Sequence, residues 1–223
     1  CWSLRDEYQL VFVHMIPLYV VLGGPLWRLL CKQIGLWYTH GSVPVSLRIA
    51  NVFTHRIFTA SSDSCNLASQ KVVVTGHGID TEHFKPQSGV TKDIDLITVG
   101  RITPVKNLLT LVDILEQVRQ EQDVSLTIVG QSVTPDEQAY ETELRGYIAQ
   151  KQLTDQVHFI GRVSQEALPA ILNRARVFVT TAQNGSLDKA ILEAMACGLP
   201  AIAFDAYKPE HVQDGRSGFV VNS

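Results

Sequence analysis

The chain has 223 residues, 45% hydrophobic and 18% charged, which is enough to bury a sizeable core and excludes a disordered polymer. A formal charge of -3 without any run of Lys or Arg excludes broad nucleic-acid binding, which needs a basic footprint. A phosphorylated small molecule needs only a few local cations.

The four cysteines (Cys1, Cys31, Cys65, Cys197) show neither close pairing nor metal-ligand spacing, so reduced thiols in a cytosolic protein are expected. The chain begins at Cys1 and shows no signal peptide, so a fragment of a longer protein is expected. Leu10–His14 reads as an apolar strand. The uncharged stretch from Leu10 to Trp27 approaches spanning length, but His14, Pro17, Gly23, Gly24 and Pro25 interrupt it. It reads as a buried strand, a loop and the start of a helix, and leaves docking on a membrane surface open.

Leu26–Lys32 reads as a helix, Gly35–His40 as a strand and Pro44–Phe53 as a helix. Strands follow at Arg56–Ala60 and Val72–Thr75, with a short helix near Asp63–Ala68. The polar stretch Lys85–Lys92 has linker composition and separates residues 1–86 from 87–223. A second series opens with a strand at Asp95–Val99, a helix from about Pro104 to Gln120 and a strand at Ser125–Val129. The next helix, Pro135 to Lys151, is marked by Thr134-Pro-Asp-Glu137, a capping box with Pro at the first helical position. Strands at Val157–Ile160, Val177–Thr181, Pro200–Phe204 and Phe219–Val221 alternate with helices near Gln165–Asn173 and Leu187–Cys197. This alternation predicts an α/β fold with mostly parallel sheets, whose ligands bind beyond the carboxyl ends of the strands.

Two turns stand out at such ends. Gly100-Arg-Ile-Thr-Pro-Val-Lys106 places Arg101 and Lys106 where a helix N-terminus disfavours cations by about 0.3–1 kcal/mol each. A bound anion would reverse that cost with help from the free amides. The second turn is Gly185, Ser186, Leu187, Asp188 and Lys189: Gly185 allows unusual backbone angles, Ser186 could cap the helix, and the amides of Leu187 and Asp188 could face a phosphate. Glu193 then sits among Ile191, Leu192 and Met195. A carboxylate there must accept hydrogen bonds, from paired ribose hydroxyls or from Lys189 four residues earlier. His40, closing a strand before Gly41, is positioned for a cleft, and His77 lies in a turn between two glycines; a lone histidine is more often structural than catalytic. No nucleophile triad, P-loop or metal cluster is evident, so metal-free chemistry is expected.

Gly100-Arg101, Lys106-Asn107, Val129-Gly130, Phe159-Ile-Gly161-Arg-Val163, Leu192-Glu-Ala-Met-Ala-Cys-Gly-Leu-Pro200 and Asp214-Gly-Arg-Ser-Gly-Phe-Val occur in that order. Together with Gly78-Ile-Asp80 and Phe84 they resemble the family 4 glycosyltransferases, from about Thr39 to the C-terminus. The resemblance implies a GT-B fold: a partial acceptor-side Rossmann-like domain over 1–86 and a sugar-nucleotide-binding one over 87–223. It implies that Gly100, Arg101 and Lys106 contact the diphosphate, that Glu193 holds the ribose, and that Arg162 and Val163 meet the base. The segment from Gly185 to Lys189 would cap the phosphates, and His40 would lie near the transferred sugar.

The activity implied is metal-independent transfer, with retention, from a nucleotide-diphosphate sugar to a glycan or glycolipid. The implied setting is cytoplasmic, at the inner face of a membrane, with no cofactor beyond the donor. The family usually carries a further glutamate where Gly185 stands; Asp188 is a nearby substitute. The resemblance also implies truncation at both ends, so the chain is expected to bind nucleotide yet transfer little sugar. A non-catalytic nucleotide-binding subunit and a sugar-nucleotide epimerase are the alternatives.

Overall fold

The computed structural model describes residues 2–182, 188–204, 212, 215 and 217–221. It divides into two compact units, residues 1–78 and 79–223. The segment 79–86, read from sequence as the end of the first domain, brings Phe84 into the core of the second unit, with Ile79 packed against that core.

The first unit is a parallel four-stranded sheet in the order β1-β2-β3-β4. β1 (Leu10–His14), α1 (Pro17–Leu29), β2 (Gln33–Trp37), α2 (Val45–Phe53), β3 (Arg56–Thr59) and β4 (Val72–Val74) follow in chain order. Adjacent parallel strands joined by right-handed crossovers place α1 and α2 in one layer on the same sheet face. Val20, Trp27, Ile34, Leu36, Leu47 and Ile57 form the core beneath them.

Three expectations change here. α1 begins at Pro17 and runs through Gly23, Gly24 and Pro25 instead of starting at Leu26. Close packing explains the glycines: a Cβ on Gly24 would fall 2.8 Å from Cβ of Phe53 in α2, and one on Gly23 would fall 2.5 Å from the Trp27 indole. Tertiary burial thus outweighs the propensity cost of roughly 1 kcal/mol per helical glycine and about 3 for an interior proline. β2 ends at Trp37, leaving His40 beyond the strand. The helix expected near Asp63–Ala68 is one 3₁₀ turn, Ser62–Ser64.

The second unit is a parallel six-stranded sheet in the order β10-β9-β8-β5-β6-β7. Its elements are β5 (Ile94–Val99), α3 (Leu108–Val118), β6 (Leu126–Val129), α4 (Pro135–Gln150), β7 (Val157–Gly161), α5 (Leu168–Arg174), β8 (Ala175–Thr180), α6 (Lys189–Ala196), β9 (Ala201–Phe204) and β10 (Gly218–Val221). α3 and α4 bury Leu111, Leu115, Leu144 and Ile148 on one sheet face. α5 and α6 bury Leu172, Ile191 and Ala194 on the other, around Phe178. β5 and β8 are neighbours at the centre, and the chain winds outward from them in both directions. The loops after these two strands therefore diverge and leave a crevice at their carboxyl ends.

The capping box is present: Glu137 N–H donates to Thr134 Oγ1 (3.3 Å) and Glu137 Oε2 accepts from Thr134 N–H (3.2 Å). The helix expected from Pro104 is not continuous. Pro104–Lys106 is a 3₁₀ turn that the Thr103 side chain does not cap, and Asn107 adopts a left-handed conformation (φ 49°, ψ 45°) before α3 begins. The break is held from elsewhere in the fold. The Thr181 hydroxyl lies 2.9 and 3.0 Å from the carbonyls of Asn107 and Lys106, and Leu108 N–H donates to the Tyr140 hydroxyl (2.9 Å).

Candidate functional site

Three glycines close the strands that frame the crevice. Gly100, Gly130 and Gly161 follow or end β5, β6 and β7, with φ of 151°, 150° and 81°. Gly130 is forced by proximity: a Cβ there would fall 1.8 Å from the Gly100 carbonyl oxygen. The backbones can then run close together, and a cavity of about 340 Å³ opens above them. Its lining includes Gly100, Arg101, Arg162, Val163, Gln165 and Glu193. All lie in the second unit.

Glu193 is the buried carboxylate of this cavity, 4% exposed on α6. Its Oε1 accepts from Gln165 Nε2 (2.6 Å) and pairs with Lys189 Nζ (2.9 Å). The helical ion pair weighed against ligand contact is therefore present, but Lys189 is about half exposed, and a screened i,i+4 pair contributes only about 0.3–0.5 kcal/mol. Gln165 went unnoticed in the sequence. It lies two residues past Val163 in the loop after β7, and its own carbonyl is 3.0 Å from His83 Nε2. Burial, and then the Glu193 charge, push the Cys197 thiol up, which keeps that cysteine protonated.

The two cations of the first turn go to different helices. Lys106 pairs with Asp188, and its ammonium lies over Gly100, where an added Cβ would be 3.1 Å from Nζ. Arg101 pairs with Glu137 (2.9 Å) in the capping box of α4. Glu137 Oε2 also accepts from Val133 N–H (2.8 Å), and these backbone donors, with Arg101 adding less, hold its carboxyl below the usual range. Asp188 is the N-cap of α6, accepting from Ala190 N–H (3.2 Å). The cap is thus Asp188 instead of Ser186, and α6 begins at Lys189. Gly185, Ser186 and Leu187 lie outside the described residues, as does Asp214.

His40 is exposed beyond β2 in the first unit, with Nδ1 3.4 Å from Ser42 Oγ and its ring 6.5 Å from that of Tyr38. The His77 ring lies 5.8 Å from Trp37. Among the described residues no cluster of three or more His, Cys, Asp or Glu has metal-binding geometry.

A glycine-lined crevice at a sheet's switch point, with cations at its rim and one buried carboxylate, has the general form of sites that take phosphorylated ligands in open α/β sheets. Comparison with known sequences bears on which kind. The profile of the family described as "Glycosyl transferases group 1" matches residues 80–223. The chain belongs to the group 1 glycosyl transferases.

Among its relatives is WcaL of Escherichia coli (strain K12), a glycosyltransferase assigned to colanic acid biosynthesis. It is 29% identical over 161 residues, covering 68% of this chain and 38% of WcaL. The GDP-mannose:cellobiosyl-diphosphopolyprenol alpha-mannosyltransferase of Xanthomonas oryzae is 26% identical over 164 residues, covering 71% of this chain and 42% of that protein. The chain thus spans about four tenths of the length of these relatives. Among solved structures, Anabaena HepE in complex with UDP and glucose matches with a TM-score of 0.82 and 22% identity, over 99% of this chain and 66% of HepE. The fold is α/β of the GT-B glycosyltransferase type, with a small four-stranded first sheet.

Proposed function

We propose that this chain carries the donor site of a retaining family 4 glycosyltransferase, which moves a sugar from a nucleotide-diphosphate sugar to a glycan or glycolipid acceptor. The carrying observation is the buried Glu193 carboxylate at the wall of a glycine-floored cavity, with Lys106 held over Gly100 at its rim. In this reading Glu193 accepts from the ribose hydroxyls, oriented by Gln165, and Arg162 and Val163 meet the base. Lys106 and Arg101 offset the diphosphate charge. The relatives support a donor of this kind: one is named for GDP-mannose and a diphosphopolyprenol-linked acceptor, one is assigned to colanic acid biosynthesis, and HepE holds UDP and glucose.

In the transfer, the bond from the anomeric carbon to the phosphate oxygen breaks and a bond to the acceptor oxygen forms on the same face. The acceptor's proton passes to the departing phosphate. Charge grows on the diphosphate as this happens, so fixed cations beside it lower the barrier. No metal or further cofactor takes part in this reading. His40 is assigned a place near the transferred sugar through the family resemblance. Asp188, already a cap and the partner of Lys106, orients that lysine. It is a less apt stand-in for the glutamate that Gly185 replaces.

Calorimetric titration with UDP, GDP and ADP tests the proposal. One of the three should bind the parent chain, and Glu193→Ala should weaken it about 10- to 100-fold, the loss of charge-assisted hydrogen bonds worth roughly 1.5–3 kcal/mol. No binding to the parent, or equal affinity in the variant, would remove Glu193 from the site.

A further inference from the structure

We infer that the outer face of the α1–α2 layer is a docking surface for an anionic lipid bilayer. α1 carries Leu18, Leu22, Pro25 and Leu29 at i, i+4, i+7 and i+11 spacing, and the three leucines are 51%, 71% and 75% exposed. The parallel stripe on α2 is Val45, Ile49 and Val52, again exposed. Both helices turn their other sides, Val20, Gly24 and Trp27 on α1 and Leu47 and Ala50 on α2, toward the core. Seven large apolar or proline side chains in one helical layer exceed the scattered exposure of an ordinary surface.

Charge decides the occupant. From Tyr8 to Ser62 the sequence contains no Asp or Glu, and the cations that α1 and α2 themselves carry are Arg28 and Arg48. Lys32 is buried, and Arg56 alternates with Ile57 onto the sheet face away from the helices. Arg48 stands exposed within the α2 stripe, between Val45 and Ile49, and Arg28 stands exposed beside Leu29. Burial and the neighbouring Arg28 lower the His55 pKa, so that ring adds no charge at neutral pH. Apolar side chains interleaved with cations match the acyl boundary and headgroups of an anionic membrane. A second copy fits poorly, because a two-fold contact would set arginines against arginines with no carboxylate between them. No helix among the described residues is long and apolar enough to cross a membrane, and the contact inferred is one of this helical face with the bilayer surface. The inference stands apart from the donor-site reading: nucleotide titration and lipid binding fail separately.

Co-sedimentation of the 223-residue chain with vesicles supplies the test. Vesicles of phosphatidylcholine with phosphatidylglycerol should carry the protein down at low salt, and phosphatidylcholine alone should not. The double variant Leu22→Ser, Leu29→Ser should reduce partitioning at least about tenfold, and Arg48→Gln about fivefold, with melting temperatures close to the parent because all three side chains are exposed. Phe12→Ser is the control. It is exposed on β1, where Val11 and Val13 alternate toward the helices, so it lies on the opposite sheet face. The inference is overturned by equal binding to neutral vesicles, by no binding, or by an equal loss in Phe12→Ser. A dimer in analytical ultracentrifugation that Leu22→Ser abolishes would also overturn it, assigning the face to a second copy.

Discussion

Asp188 shows how one side chain can serve two structural ends at a site. It caps α6 and pairs with Lys106, both groups being 20% exposed or less. Asp188→Asn keeps the cap, since Asn and Asp are equivalent there, but leaves the ammonium without its anion. The variant should lose about 1–3 kcal/mol of stability. A nucleotide diphosphate should then raise its melting temperature more than the parent's, because the ligand replaces the missing charge. An equal or smaller ligand-induced rise would place Lys106 away from the phosphates. The sequence drew attention to Arg101 and Lys106 because two cations after a strand read as standing at a helix N-terminus. Their partners were not legible. Glu137 and Asp188 lie 36 and 82 positions away, and only sheet topology brings them near.

At the scale of elements, α4 was the clearest reading, and the start of α3 was among those that changed. The Thr134 to Glu137 box is a local device, complete within four residues, and it formed as read. What the motif could not announce is that Glu137 also holds Arg101. Because the folded Glu137 carboxyl titrates below its ordinary value near 4.5, its contribution is fully present above that value and is lost as pH falls through the lower, folded one. Glu137→Gln should therefore melt below the parent at neutral pH, and the gap should narrow as pH falls below about 4.5. A gap that stays constant with pH would mean the carboxylate's charge contributes nothing. The start of α3 depends instead on Thr181 and Tyr140, side chains from β8's end and from α4, which lock Asn107 in a left-handed turn. No window of sequence around Pro104 contains them.

At the scale of the molecule, every residue lining the cavity belongs to residues 79–223, which have their own sheet and two core clusters. That segment expressed alone should bind the preferred nucleotide with the affinity of the whole chain. A loss beyond about tenfold would show that the first unit contributes to donor binding. Transfer is a different matter, since the proposed reading assigns His40, in the first unit, a place near the transferred sugar. The isolated segment should bind and turn over no sugar, checked by donor consumption with an acceptor present.

The sequence by itself determined the α/β alternation, the parallel sheets, the capping box and the family, because these rest on short-range periodicity and on motifs whose order survives in the chain. It also pointed to Glu193, since an ionisable group inside an apolar helix must be answered by some hydrogen-bond donor. Lys189, four residues earlier, was readable as one answer; Gln165 was decided by the tertiary structure alone. Gln165 came to line the cavity, and Glu137 and Thr181 came to hold its first turn, when strand order brought separate loops together, and Gly130 became obligatory when two backbones met there. Local pattern is written residue by residue, whereas proximity across strands is set by burial of the whole sheet, which no single segment encodes.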